Sequence, residues 1–178
     1  MMRHWLGKPL ATVMTMAILL LSGASALADD ETNPLQGTVI PSFTTKSLAN
    51  STVTKAVFQK NKVTMIKLWG TFCGPCINEM PDLAKLAKVL KKDGIGVLGI
   101  VVDGDMVSAR KIITRAKVGF PNIVADQSLD THVLDKIQYV PTTIFVDSRG
   151  RVLTPYAVGS RDSKEYQRLA MQALGEIK

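Results

Sequence analysis

The stretch Leu68-Trp69-Gly70-Thr71-Phe72-Cys73-Gly74-Pro75-Cys76-Ile77-Asn78-Glu79-Met80-Pro81 holds both cysteines of a 178-residue chain. Upstream, Val63 to Trp69 reads as a strand bounded by Asn61-Lys62 and Gly70. Downstream, Cys76 to Lys92 predicts a helix. Cys76, Met80, Leu83, Ala87 and Leu90 recur at helical spacing, and Lys85, Lys88 and Lys92 take the other face. Asp93-Gly94 ends it, with glycine where a helix needs a left-handed residue. The cysteine pair therefore sits where a strand hands over to a helix.

Working outward, Ile95 to Val102 is an apolar run of the kind that forms a strand covered on both faces. Met106 to Lys117 predicts a helix, Asn122 to Val124 a short strand and Ser128 to Ile137 another helix. Thr142 to Val146 and Arg151 to Val158 flank Asp147-Ser148-Arg149-Gly150, which predicts a hairpin, and Asp162 to Ile177 an amphipathic helix. Ahead of the cysteines, Thr38 to Thr45 and Ser51 to Thr54 predict a leading hairpin around Leu48-Ala49-Asn50. Strands alternating with helices and closing on a hairpin imply a mixed α/β sheet with helices on both faces.

At the N-terminus, Arg3 and Lys8 precede an uncharged apolar run, Leu10 to Leu21, and a small-residue tail ending Ala26-Leu27-Ala28. Residues 1–28 read as a cleaved signal peptide, with an uncleaved membrane anchor as the alternative. Residues 29–37, with Asn33-Pro34 and Gly37, read as a flexible lead, and 38–178 as one domain. On either reading of the leader the domain is expected outside the cytoplasm, in the periplasm of a bacterium. Removing Arg3 and Lys8 takes the net charge from +7 to +5. The lysines are spread along helices without interleaved aromatics, so no nucleic-acid partner is expected.

Two cysteines three positions apart close too small a loop to staple a domain, which leaves reactivity or metal binding. A closed zinc site needs four ligands, and outside the leader only Cys73, Cys76 and a lone His132 are available, so no metal is expected. Cys73, at the start of a long helix, faces a partial positive charge and free N–H groups that stabilise a thiolate. Pro75 suits the first turn, where its missing N–H costs nothing. Cys73 is thus the expected exposed nucleophile. Cys76, one turn further in, is the buried thiol that resolves the mixed disulfide. This chemistry needs no cofactor beyond the Cys73–Cys76 disulfide itself.

These residues resemble the thioredoxin superfamily, and within it the TlpA/ResA-like (AhpC/TSA-related redoxin) branch of extracytoplasmic thiol–disulfide oxidoreductases. Trp69 to Pro81 carries that branch's W-x-x-x-C-x-x-C-x-x-E-x-P pattern, and Val140-Pro141-Thr142-Thr143 to Asp147 its V-P-T-T-x-x-x-D segment. The resemblance implies a thioredoxin fold with an N-terminal β-hairpin extension. It implies that Trp69 packs beside the loop containing Gly74 and Pro75, and that Glu79 takes part in proton handling. Pro141 would be a cis-proline facing the cysteines and Val140 would offer its backbone to a substrate strand. Pro81 falls inside the helix, where it removes a backbone hydrogen bond and bends it.

Lys67 departs from the pattern, because many thioredoxins place a buried acid six residues before the nucleophile. Either Lys67 pairs with Glu79 or lowers a cysteine pKa, or it snorkels out from the sheet edge. The Gly-Pro dipeptide matches thioredoxin, a reductant at about −270 mV, rather than oxidants near about −120 mV. A dithiol reductase of disulfide-containing exported proteins is expected, apocytochrome c before haem attachment being one candidate substrate. The resemblance implies a membrane thiol donor of the DsbD/CcdA type, and a monomer is expected. An oxidase or isomerase is the alternative in the same chemistry. A Cu(I) metallochaperone would use the thiolates differently but lacks a Met- or His-rich segment. A thiol peroxidase is disfavoured because Ile66 stands where its proline should be.

Overall fold

In a computed structural model describing residues 32–177, the apolar segments become strands and the amphipathic ones helices. The leader assigned to residues 1–28 lies outside the described residues. Among the described residues, no helix is long and apolar enough to cross a membrane.

The strands β1 (Thr44–Lys46) and β2 (Thr52–Thr54) form an antiparallel hairpin. A 3₁₀ turn at Lys55–Lys60 leads into β3 (Val63–Trp69), α1 (Gly74–Leu90), β4 (Ile95–Val101), α2 (Met106–Arg115) and β5 (Asn122–Val124). Next come α3 (Gln127–His132), β6 (Thr142–Asp147), β7 (Val152–Val158) and α4 (Ser163–Glu176). The main sheet has the order β5-β4-β3-β6-β7. β3 runs parallel to β4 and antiparallel to β6, which makes the sheet mixed.

Every residue of β3 is buried because it is the middle strand, and its side chains alternate between two cores. Val63, Met65 and Trp69 pack with Cys76, Met80 and Leu83 of α1 and with Tyr166 and Leu169 of α4. Ile66 and Leu68 pack on the other face with Phe58, Leu129 and Val133. Helix α1 runs on through Pro81, which has no N–H to give the carbonyl of Ile77, one turn earlier.

Three sequence expectations change. The first strand of the leading hairpin, expected over Thr38 to Thr45, is confined to Thr44–Lys46. The helix expected over Ser128 to Ile137 stops at His132 and continues as a separate 3₁₀ turn, Leu134–Lys136. Val133, at φ −119° and ψ −58°, is the residue between the two and buries its side chain in the core. The lead expected to be flexible is packed from Asn33 onward. The Asn33 side chain accepts from Leu35 N–H at 3.1 Å and donates to Leu153 O at 2.9 Å, and Leu35 is buried beside Ile66. Gly37 and Thr38 then exchange backbone hydrogen bonds with Val152 of β7, each 2.9 Å long.

The hairpin is fastened at the opposite edge. Leu48 N–H donates to Asn122 O at 2.8 Å, and Arg110 of α2 donates to Leu48 O at 2.7 Å and to Asn50 Oδ1 at 2.8 Å. The N-terminal segment thus touches both outer strands of the sheet.

Candidate active site

Cys73 caps α1. Its backbone is extended (φ −90°, ψ 98°), and its sulfur accepts the Cys76 N–H at 3.2 Å. Gly74 and Pro75 form the exposed first turn, and the two sulfurs are joined in a disulfide. The nucleophile is less open than expected: Cys73 is 6% exposed against 0% for Cys76. Its sulfur is bonded to Cys76 Sγ and accepts a helix N–H. Of the two residues, Cys73 is the more accessible.

Thr71, in the turn between β3 and α1, is held by Asp103. Its N–H and hydroxyl both donate to Asp103 Oδ2, at 2.7 and 2.6 Å. Trp69 is fully buried and donates from Nε1 to Asn122 Oδ1 at 3.0 Å. The tryptophan thereby links the end of β3 to β5.

The Val140–Pro141 peptide bond is cis. Pairing of β3 with β6 sets Leu68 opposite Thr142, so the residues just before β6 share a sheet end with those just after β3. Phe72 and Tyr139 stand out from this end, 70% and 66% exposed. Between them lies a cleft of about 440 Å³, lined also by Val140, Val102, Asp130 and Asp135. Pro81, by contrast, faces outward beside Ile77, Lys111 and Arg115, away from the inner face of α1.

Lys67 does not snorkel. β3 is the central strand, so the side chain has no edge to escape over, and it is 0% exposed. Its ammonium lies 2.7 Å from Glu79 Oε1, donates to Thr143 Oγ1 at 3.1 Å and donates to the Tyr166 hydroxyl. Glu79 is buried on the inner face of α1, one turn beyond Cys76. Its Oε2 accepts from the Tyr166 hydroxyl at 2.8 Å and from Ser160 Oγ at 2.7 Å. Burial lowers the Lys67 pKa to about 8 despite the attraction of Glu79. Burial, reinforced by the Glu79 charge, pushes the Tyr166 phenol well above its usual range, so it stays a proton donor.

Tyr166, Thr143, Ser160, Asp103 and Asn122 belong to this site and are not visible as site residues in the sequence. The two cysteines, Glu79 and Lys67 are brought together, and the cis-proline loop is placed at the same sheet end. His132 is exposed on α3, its Nδ1 2.9 Å from Ser128 O, and among the described residues no cluster suits a metal.

A mixed five-stranded sheet whose Cys-x-x-Cys pair caps a long helix defines a thioredoxin-fold protein. The thioredoxin family thiol:disulfide interchange protein of Chlorobium tepidum matches this fold with a TM-score of 0.67. The match covers 79% of this chain and 98% of that one, at 24% identity. The chain belongs to the Redoxin family, whose model matches residues 35–169. It is 28% identical over 100 residues to the thiol-disulfide oxidoreductase ResA of Halalkalibacterium halodurans, covering 56% of each chain. It is 26% identical over 146 residues to ResA of Geobacillus thermodenitrificans, covering 79% of this chain and 82% of that protein. In the first of these the match spans little more than half of the relative's length.

Proposed function

We propose that the chain is an extracytoplasmic thiol–disulfide oxidoreductase that works as a dithiol reductase on exported proteins. The observation that carries the reading is Cys73 as N-cap of α1, disulfide-bonded to Cys76, at the sheet end that also holds a cis-proline loop and a cleft lined by Phe72, Tyr139 and Val140. In the reduced protein the free N–H groups and dipole of α1 favour the Cys73 thiolate. It attacks one sulfur of a substrate disulfide, forms a mixed disulfide and releases the other sulfur as a thiolate that takes a proton. Cys76 then gives up its proton and attacks Cys73 Sγ. The Cys73–Cys76 bond forms and the second substrate sulfur leaves with the remaining electron pair.

Two electrons pass to the substrate, and a dithiol in a membrane donor returns them. No cofactor besides the cysteine pair enters the cycle. Val140 and Tyr139, lining the cleft, are the groups an extended substrate segment meets. Export is supported by the leader in residues 1–28.

Equilibration of the domain with glutathione or dithiothreitol buffers gives the potential of the couple. A value near or below about −250 mV is expected. A value above about −180 mV assigns the same cysteines to an oxidase or isomerase instead.

A further inference from the structure

We propose that Lys67 is a positioning residue for the proton that leaves Cys76. With Tyr166 it holds the Glu79 carboxylate in the buried layer that Cys76 shares, ready to accept that proton. The proposal rests on the thiol–disulfide chemistry above and concerns only its resolving step.

An ammonium in the middle strand of a sheet is costly to bury, and here two hydrogen bonds and one ion pair compensate it. It meets Glu79, Tyr166 and Thr143, from α1, α4 and β6 respectively. The Tyr166 oxygen accepts from Lys67 and, at 3.1 Å, from Arg161 N–H, so its single proton is left for Glu79 Oε2. Ser160 fills the same oxygen. Oε1 is different: it is buried, has the Lys67 ammonium beside it and receives no well-aligned hydrogen bond. It is the carboxylate atom with accepting capacity left, on a side chain one helical turn from Cys76.

The charged and titratable groups around Glu79 are Lys67 from β3, Tyr166 from α4, Cys76 on α1 itself and Arg161 ahead of α4, whose charge acts on Lys67. β6 contributes only the uncharged Thr143. During resolution the Cys76 proton passes to the Glu79 carboxylate as the Cys76 sulfur bonds to Cys73 Sγ. The substrate thiolate leaves with the electron pair of the broken mixed disulfide. Without Lys67 the buried carboxylate loses the one cation in contact with it, and it takes up a proton or swings out to water. Either outcome removes the acceptor.

An aromatic disulfide that releases a coloured thiolate separates the two steps. The first release reports attack by Cys73 and the second reports resolution by Cys76. In Lys67→Met the second release is expected to slow relative to the first by about tenfold or more at neutral pH. Its pH profile should move to the alkaline side. Glu79→Gln should do the same, and the double variant should be no slower than Glu79→Gln alone.

A second release with unchanged pH dependence in Lys67→Met, or full multiplication of the two effects, overturns the proposal. If Lys67→Met does not fold, Tyr166→Phe decides. An intact first release with a slowed, alkaline-shifted second is the expected result, and an unaltered second release is the overturning one. Failure of both releases in the unaltered protein overturns the oxidoreductase reading itself, and this proposal with it.

Discussion

Lys67 shows how one side chain is read differently from sequence and from structure. In the sequence it interrupts an apolar strand, and its spacing from Cys73 marks it as out of pattern; Glu79 can be named there as a partner, but Tyr166 and Thr143 cannot. Glu79 is a dozen positions away, whereas Tyr166 is 99 residues distant and Thr143 is 76, on strands and helices joined only by the fold. Tyr166 reads in sequence as one more apolar-face residue of a terminal helix. The lowered pKa of Lys67 has a direct thermodynamic consequence. Between pH of about 8 and about 10.5 the unfolded chain carries the Lys67 proton and the folded chain does not. The unfolded state binds more protons, so stability rises with pH across that window, by up to about 3 kcal/mol. Urea unfolding of the oxidised protein at a series of pH values should show this rise. Lys67→Met should lack it, and an identical rise in both proteins would show that another group is responsible.

At the scale of elements, the strands were the most legible part. β3 and β4 begin at Val63 and Ile95, where their apolar runs begin, because both strands are covered on both faces. Helix α3 was less legible, since the apolar spacing of Leu129, Val133 and Ile137 continues past the point where the backbone leaves the helix. The contact between β4 and β5 depends on a residue that the pattern treats as a weakness. Gly99, inside β4, gives room to the Asn122 side chain, and an added methyl there would run into that carboxamide and lie 3.1 Å from Trp69 Nε1. Gly99→Ala is therefore expected to destabilise the protein by about 1–3 kcal/mol through overpacking. It should also disturb the Trp69–Asn122 hydrogen bond. Denaturant unfolding with tryptophan emission checks both, and unchanged stability and emission would show that the Asn122 side chain gives way freely.

For the whole molecule, the sequence specified the α/β class, the order of elements and the redox end of the sheet. It missed the docking of the first described residues, because short polar stretches with proline and glycine look alike whether they are packed or free. That segment covers both borders of the sheet: Val39 bridges to Arg151 beside β7, and Ser47 bridges to Ile123 in β5. Outer strands left bare offer unpaired N–H and C=O groups to other chains. A chain beginning at Lys55 is expected to self-associate where the longer one does not. Light scattering at increasing concentration checks this, and a truncated protein that stays monomeric would show that the borders need no cover.

The same arrangement bears on how the chain matures. Residues 33–40 emerge early, yet their partners lie in the penultimate structural element; Asn33 and Leu153 are 120 positions apart. Contacts of such long separation form only after a large loop has closed, and they slow folding. A chain released end-first from a ribosome or a translocation channel must therefore hold its opening segment unmatched until almost the last residue is free, and the fold completes as one late event rather than in instalments.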